Sequence, residues 1–122
     1  MNGRILIDTN IFIYLTQGDE NILEFIQGKD VYISFITELE LLSFKNITKK
    51  EEQIIREIIS QFKVLDYNSS LKMEIVELRK KYNLKLPDSI ILANARYMNI
   101  PFFTSDKKLR NVKEMDIILY DV

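Results

Sequence analysis

Most of the eighteen acidic residues in this 122-residue chain sit in solvated runs such as Asp19-Glu20, Glu51-Glu52 and Glu74/Glu77, but four do not. Asp8 ends the apolar run Ile5-Leu6-Ile7, and Asp106 follows Phe102-Phe103-Thr104. Glu40 has Ile36 and Phe44 as its i−4 and i+4 neighbours, so it interrupts an apolar ridge. Asp88 follows Pro87 at what reads as a helix start, on the face it shares with Leu92 and Ala95. If these four converge, their repulsion raises some of their pKa values and destabilises the fold until a divalent cation relieves it. A pocket of that kind suits in-line phosphoryl displacement by an activated water, chemistry that needs no histidine.

Each acid also has a plainer reading. Asp8 and Asp106 suit helix caps after strands. Asp88 suits the positive end of a helix dipole. Thr37 with Glu40 fits a capping box, while Glu38 lies on another side and reads as more exposed.

Composition narrows the chemistry. The chain has no Cys and no His, which excludes disulfides, thiolate nucleophiles, imidazole bases and ordinary zinc sites. Neither a phosphate-binding glycine loop nor a dinucleotide fingerprint occurs. Carboxylates, hydroxyls, amides and Lys/Arg remain, and that donor set favours hard ions such as Mg²⁺ or Mn²⁺. Seventeen basic against eighteen acidic residues give no global attraction to polyanions, so nucleic-acid binding requires a local patch. Lys107, Lys108, Arg110 and Lys113 follow Asp106, and Lys80, Lys81 and Lys85 precede Asp88. They form either a solvated face or an RNA-backbone contact. Tyr14 and Tyr97 are candidates for base stacking, with core packing the plainer assignment.

The elements that must position these residues follow from periodicity. Short apolar strands at 5–7, 31–35, 63–65, 102–104 and 117–119 alternate with helical stretches, which predicts a parallel sheet with helices on both faces. Helices are expected over 11–15, 21–27 and 36–45, from the Thr48–Glu51 capping box onward, after Ser69 or Ser70, and from Pro87 to about Met98. The stripe Ile54, Ile55, Ile58, Ile59 and Phe62 faces either the core or a partner subunit. The length suits one domain over residues 1–122. Without a signal-peptide pattern or an apolar run of about 20 residues, a cytoplasmic protein with no membrane contact is expected.

Four blocks carry a resemblance: Ile5-Leu6-Ile7-Asp8-Thr9-Asn10, Ser34-Phe35-Ile36-Thr37-Glu38-Leu39-Glu40-Leu41, Asp88-Ser89-Ile90-Ile91-Leu92-Ala93-Asn94-Ala95 and Phe103-Thr104-Ser105-Asp106. In this order the sequence resembles the PIN-domain ribonucleases, particularly the VapC-type toxins of toxin–antitoxin pairs. The resemblance implies a three-layer α/β fold with a mostly parallel sheet of about five short strands. It implies a metal-dependent endoribonuclease in which Asp8, Glu40, Asp88 and Asp106 bind Mg²⁺ or Mn²⁺, supported by Thr9, Asn10 and Thr104. It further implies an RNA substrate, a cognate antitoxin and a homodimer. Ser43-Phe44 stand where a glycine is frequent in the family, and Leu109 where an aromatic is frequent.

Two other functions fit less of the sequence. One is a PIN-like module that binds RNA or protein without cutting. The other is a phosphatase with Asp8 as covalent nucleophile; the haloacid-dehalogenase-like pattern has a second Asp two residues on, where this chain has Asn10.

Overall fold

The computed structural model describes residues 3–121. Its centre is β1 (Arg4–Ile7), flanked by β2 (Asp30–Ser34) and β4 (Phe102–Thr104), with β3 (Lys63–Leu65) and β5 (Ile117–Leu119) at the edges. All strand pairs are parallel, in the order β3-β2-β1-β4-β5. This is the parallel, five-stranded α/β architecture that the resemblance implies. Ile5, Leu6 and Ile7 are each at most 1% exposed, as a central strand covered on both faces requires.

Strand alternation sends Ile5, Ile7, Val31, Ile33 and Phe103 to one face. There they pack against α1 (Thr9–Thr16), α2 (Glu20–Ile26), Leu41 of α3 (Phe35–Leu42) and Ile59 of α4 (Lys49–Ile59). Leu6, Tyr32 and Phe102 point to the opposite face, which α5 (Lys72–Tyr82) and α6 (Leu86–Met98) cover through Leu78, Ile91, Leu92 and Ala95. Asn99 ends α6 in the left-handed conformation with φ 53°, its amide bonding back to Ala95 and Arg96.

The capping box Thr48/Glu51 forms as expected. The stripe on α4 is not uniformly internal: Ile59 is buried, whereas Ile54 is 44% exposed. Ile54 and Ile55, with Ile13, Leu41 and Phe44, line an open groove of about 670 Å³. The start of α5 also differs from expectation. Asn68, not Ser69 or Ser70, caps the short turn Ser69–Leu71 that leads into it, accepting from the Ser70 amide at 3.0 Å. Among the described residues, no helix is long and apolar enough to cross a membrane.

Strand order fixes where a site can form. From β1 the chain builds outward through β2 and β3, then returns past β1 to β4 and β5. The reversal lies between β1 and β4, and ligands of parallel α/β sheets bind at the carboxyl ends beside such a junction.

Candidate metal centre

Asp8 and Asp106 both stand at that junction. Ile7 pairs with Phe103, and the Asp8 amide donates to the Phe103 carbonyl at 3.0 Å, which brings Thr104 alongside Asp8. The Thr104 hydroxyl donates to Asp8 Oδ2 and accepts from the Asp106 amide at 3.0 Å. Asp8 Oδ1 accepts from the Asn10 amide at 3.3 Å and caps α1, while Asp106 Oδ1 accepts from the Lys108 amide at 3.0 Å and caps the turn Lys107–Asn111. Both aspartates are therefore caps and junction residues at once. Asn10 contributes through its backbone, and its side chain is exposed.

Asp88 comes from the first turn of α6, with Pro87 at the start as expected. It is half-buried beneath the sheet's carboxyl edge. Burial pushes its pKa up, and the charges of Asp8 and Asp106 push it further, against the smaller opposing pull of Lys85 and Lys108. Burial also raises the pKa of Asp8, opposed by hydrogen bonds from Thr104, Asn10 and Thr9, with Asp106 adding to the rise. The three aspartates thus share one electrostatic site.

Glu40 reaches this neighbourhood differently. It is exposed on α3 and accepts the Thr9 hydroxyl at 2.8 Å. The expectation of an acid sunk in an apolar ridge is corrected here: Phe44 is 52% exposed, and Glu38 is more buried than Glu40. The buried face of α3 is Thr37 and Leu41, one turn apart, and Ser34 rather than Thr37 caps the helix. Thr37 lies 2.9 Å from Thr9, oxygen to oxygen.

Two residues of the frame escaped sequence reasoning. The Ser34 hydroxyl, buried, donates to the buried Asn94 side chain at 2.6 Å and joins the start of α3 to α6. Ser34 breaks an apolar run and Asn94 sits among alanines, a signal of polarity in the core that gives no partner. Tyr97, assigned to core packing, is instead 51% exposed, since α6 buries its opposite side. Tyr14 is half-buried and packs 6.4 Å from Tyr120, between ring centroids.

The donors at the junction are all oxygens, and two of the three aspartates carry raised pKa values, so the set suits a hard divalent cation. Among the described residues, no group of three acidic side chains is drawn together closely enough to enclose an ion.

The profile of one protein family, described as PIN domain, matches residues 5–115. No curated protein matches the sequence significantly. Several solved structures share the fold. A toxin–antitoxin complex from Klebsiella pneumoniae contains a chain 29% identical to this one, with 97% of this chain and 99% of that chain covered at a TM-score of 0.83. A VapBC2 structure from Rickettsia felis, bound to a DNA fragment from its promoter, is 22% identical over 97% and 99%, with a TM-score of 0.79. VapBC-1 from nontypeable Haemophilus influenzae is 21% identical over 95% and 97%, at 0.77.

Proposed function

The chain belongs to the PIN domain family, and on that premise we propose that it is a Mg²⁺- or Mn²⁺-dependent endoribonuclease, the VapC-like toxin of a toxin–antitoxin pair. The observation that carries this reading is the shared charge of Asp8, Asp88 and Asp106 at the β1–β4 junction. These three and Glu40 are the residues to hold the ion. When bound, a hard divalent cation supplies positive charge to the phosphodiester and activates water for its hydrolysis.

The chain's own residues prepare the rest. Thr104 and the Asn10 amide fix both oxygens of Asp8, so this carboxylate is oriented before anything binds. Thr9 holds Glu40. The charges of Lys85 and Lys108 both act on Asp88, so these lysines suit contacts to RNA phosphates flanking the reacting one. Arg110, Lys113 and Lys80 are exposed and free to meet further phosphates. Lys81 and Lys107 contribute less, being paired with Glu114 at 2.8 Å and Asp121 at 3.6 Å. The similar structures captured as toxin–antitoxin assemblies support a protein antitoxin as partner. A homodimer completes the proposal.

The test is thermal unfolding of wild type and Asp88→Asn with and without Mn²⁺, beside cleavage of cellular RNA. A midpoint that climbs with Mn²⁺ in wild type but not in the variant, with metal-dependent cleavage, is expected. Metal-independent RNA binding without cleavage or a Mn²⁺ response would replace this reading with a non-catalytic binding module.

A further inference from the structure

We propose that Thr37 is a positioning residue: its buried hydroxyl sets the direction of the Thr9 hydroxyl, and Thr9 in turn holds the Glu40 carboxylate. This deepens the metal-pocket reading and rests on it only for its effect on metal binding.

The relay follows from counting protons. A threonine hydroxyl has one hydrogen to give. Thr9 gives its hydrogen to Glu40 Oε1, at 2.8 Å. The 2.9 Å contact between Thr9 and Thr37 must then run the other way, with Thr37 donating and Thr9 accepting. Thr37 is 0% exposed, so water does not compete for its hydroxyl. Glu40 is exposed, and a long acidic side chain on a helix surface ordinarily samples several rotamers.

The two threonines come from different elements, Thr9 from the first turn of α1 and Thr37 from the first turn of α3. Thr9 follows Asp8 directly, and Thr37 lies one helical turn before Glu40. The relay therefore couples the acid on α3 to the strand end that carries Asp8. Without the Thr37 hydroxyl, the Thr9 oxygen loses the hydrogen bond it accepts, and nothing then turns its own hydrogen toward Glu40 in preference to other directions.

Nuclear magnetic resonance on the metal-free protein decides this. Three-bond Hα–Hβ couplings of Glu40 are expected to report one dominant rotamer in wild type, averaging in Thr37→Val and Thr9→Val, and one rotamer again in Thr37→Ser. Unchanged couplings in Thr37→Val overturn the proposal. A second measurement, Mn²⁺ affinity by calorimetry, is expected to fall on the order of tenfold in Thr37→Val. In a Glu40→Gln background that loss should vanish, because Thr37 acts through Glu40. The same loss in both backgrounds also overturns the relay, since it marks a general structural effect. If wild type takes up no Mn²⁺, the metal reading falls, and the couplings still decide the relay alone.

Discussion

Thr104 and Asp8, separated by 96 residues in sequence, are joined by one hydrogen bond between the ends of β4 and β1. Thr104 is 0% exposed, and the same oxygen accepts the Asp106 amide. One hydroxyl thus fixes the relation between two of the aspartates. Thr104→Val removes the donor at nearly constant volume. Burial then raises the Asp8 pKa with less opposition. Mn²⁺ affinity at neutral pH is expected to drop on the order of tenfold by calorimetry, with a stability loss of about 1–3 kcal/mol in urea unfolding because the Asp106 amide loses its acceptor.

Asp88→Asn should separate stability from activity. Removing a charge that Asp8 and Asp106 repel is expected to raise the unfolding midpoint of the metal-free protein while abolishing RNA cleavage. Asp8→Asn is likewise expected to abolish cleavage with the fold intact by circular dichroism. Full activity in either variant would remove the residue from the site.

Acid affects two regions in opposite directions. Glu114 sits between α5 and β5, where burial pushes its pKa up but hydrogen bonds from Lys81, Tyr82 and the backbone, with the Lys81 charge, bring it down to about 2. A carboxyl lowered from 4.5 to about 2 contributes stability above pH 4.5 and loses it as pH falls toward 2. Glu114→Gln is expected to cost about 1–2 kcal/mol at neutral pH, an amount limited by the solvent around the exposed Lys81 head. Its stability should also vary less than that of wild type between pH 4.5 and 2. Asp8 and Asp88 have raised pKa values, so their protonation favours the folded state. They destabilise the metal-free protein above their folded pKa values, and that penalty disappears as pH falls to their unfolded values. Denaturant melts across pH on wild type, Glu114→Gln and Asp88→Asn separate the two contributions.

Ser34→Ala tests the frame itself. It leaves the Asn94 carbonyl buried without its donor and removes the side-chain cap of α3. A loss of about 1–3 kcal/mol is expected from chemical denaturation. Ser34→Thr, which keeps the hydroxyl, should recover part of it.

Much of this arrangement is legible in the amino-acid sequence alone. Ile5-Leu6-Ile7 breaking into Asp8 marks a doubly covered strand and its acidic end, and Phe102-Phe103-Thr104 before Asp106 repeats the pattern. Parallel pairing follows from strands separated by helices. Less local matters are not legible there. Helical spacing places Glu40 among Ile36 and Phe44, but it does not say which side of α3 meets the sheet, and in the fold that side is Thr37 and Leu41. The partners of Thr37 and Ser34 lie 28 and 60 residues away, and no period or cap rule points so far along a chain.

The central place of β1 also sets when the acidic junction can assemble. The first strand pairs with β2 within the first third of the chain but must wait for β4, whose residues come after position 101. During synthesis, Asp8 precedes Thr104 by 96 residues and remains without it and Asp106 until β4 has followed. Contacts of such long sequence separation also form late in folding. The junction of Asp8 with Thr104 and Asp106 thus assembles only once β4 is in place, and fragments truncated before β4 lack it altogether.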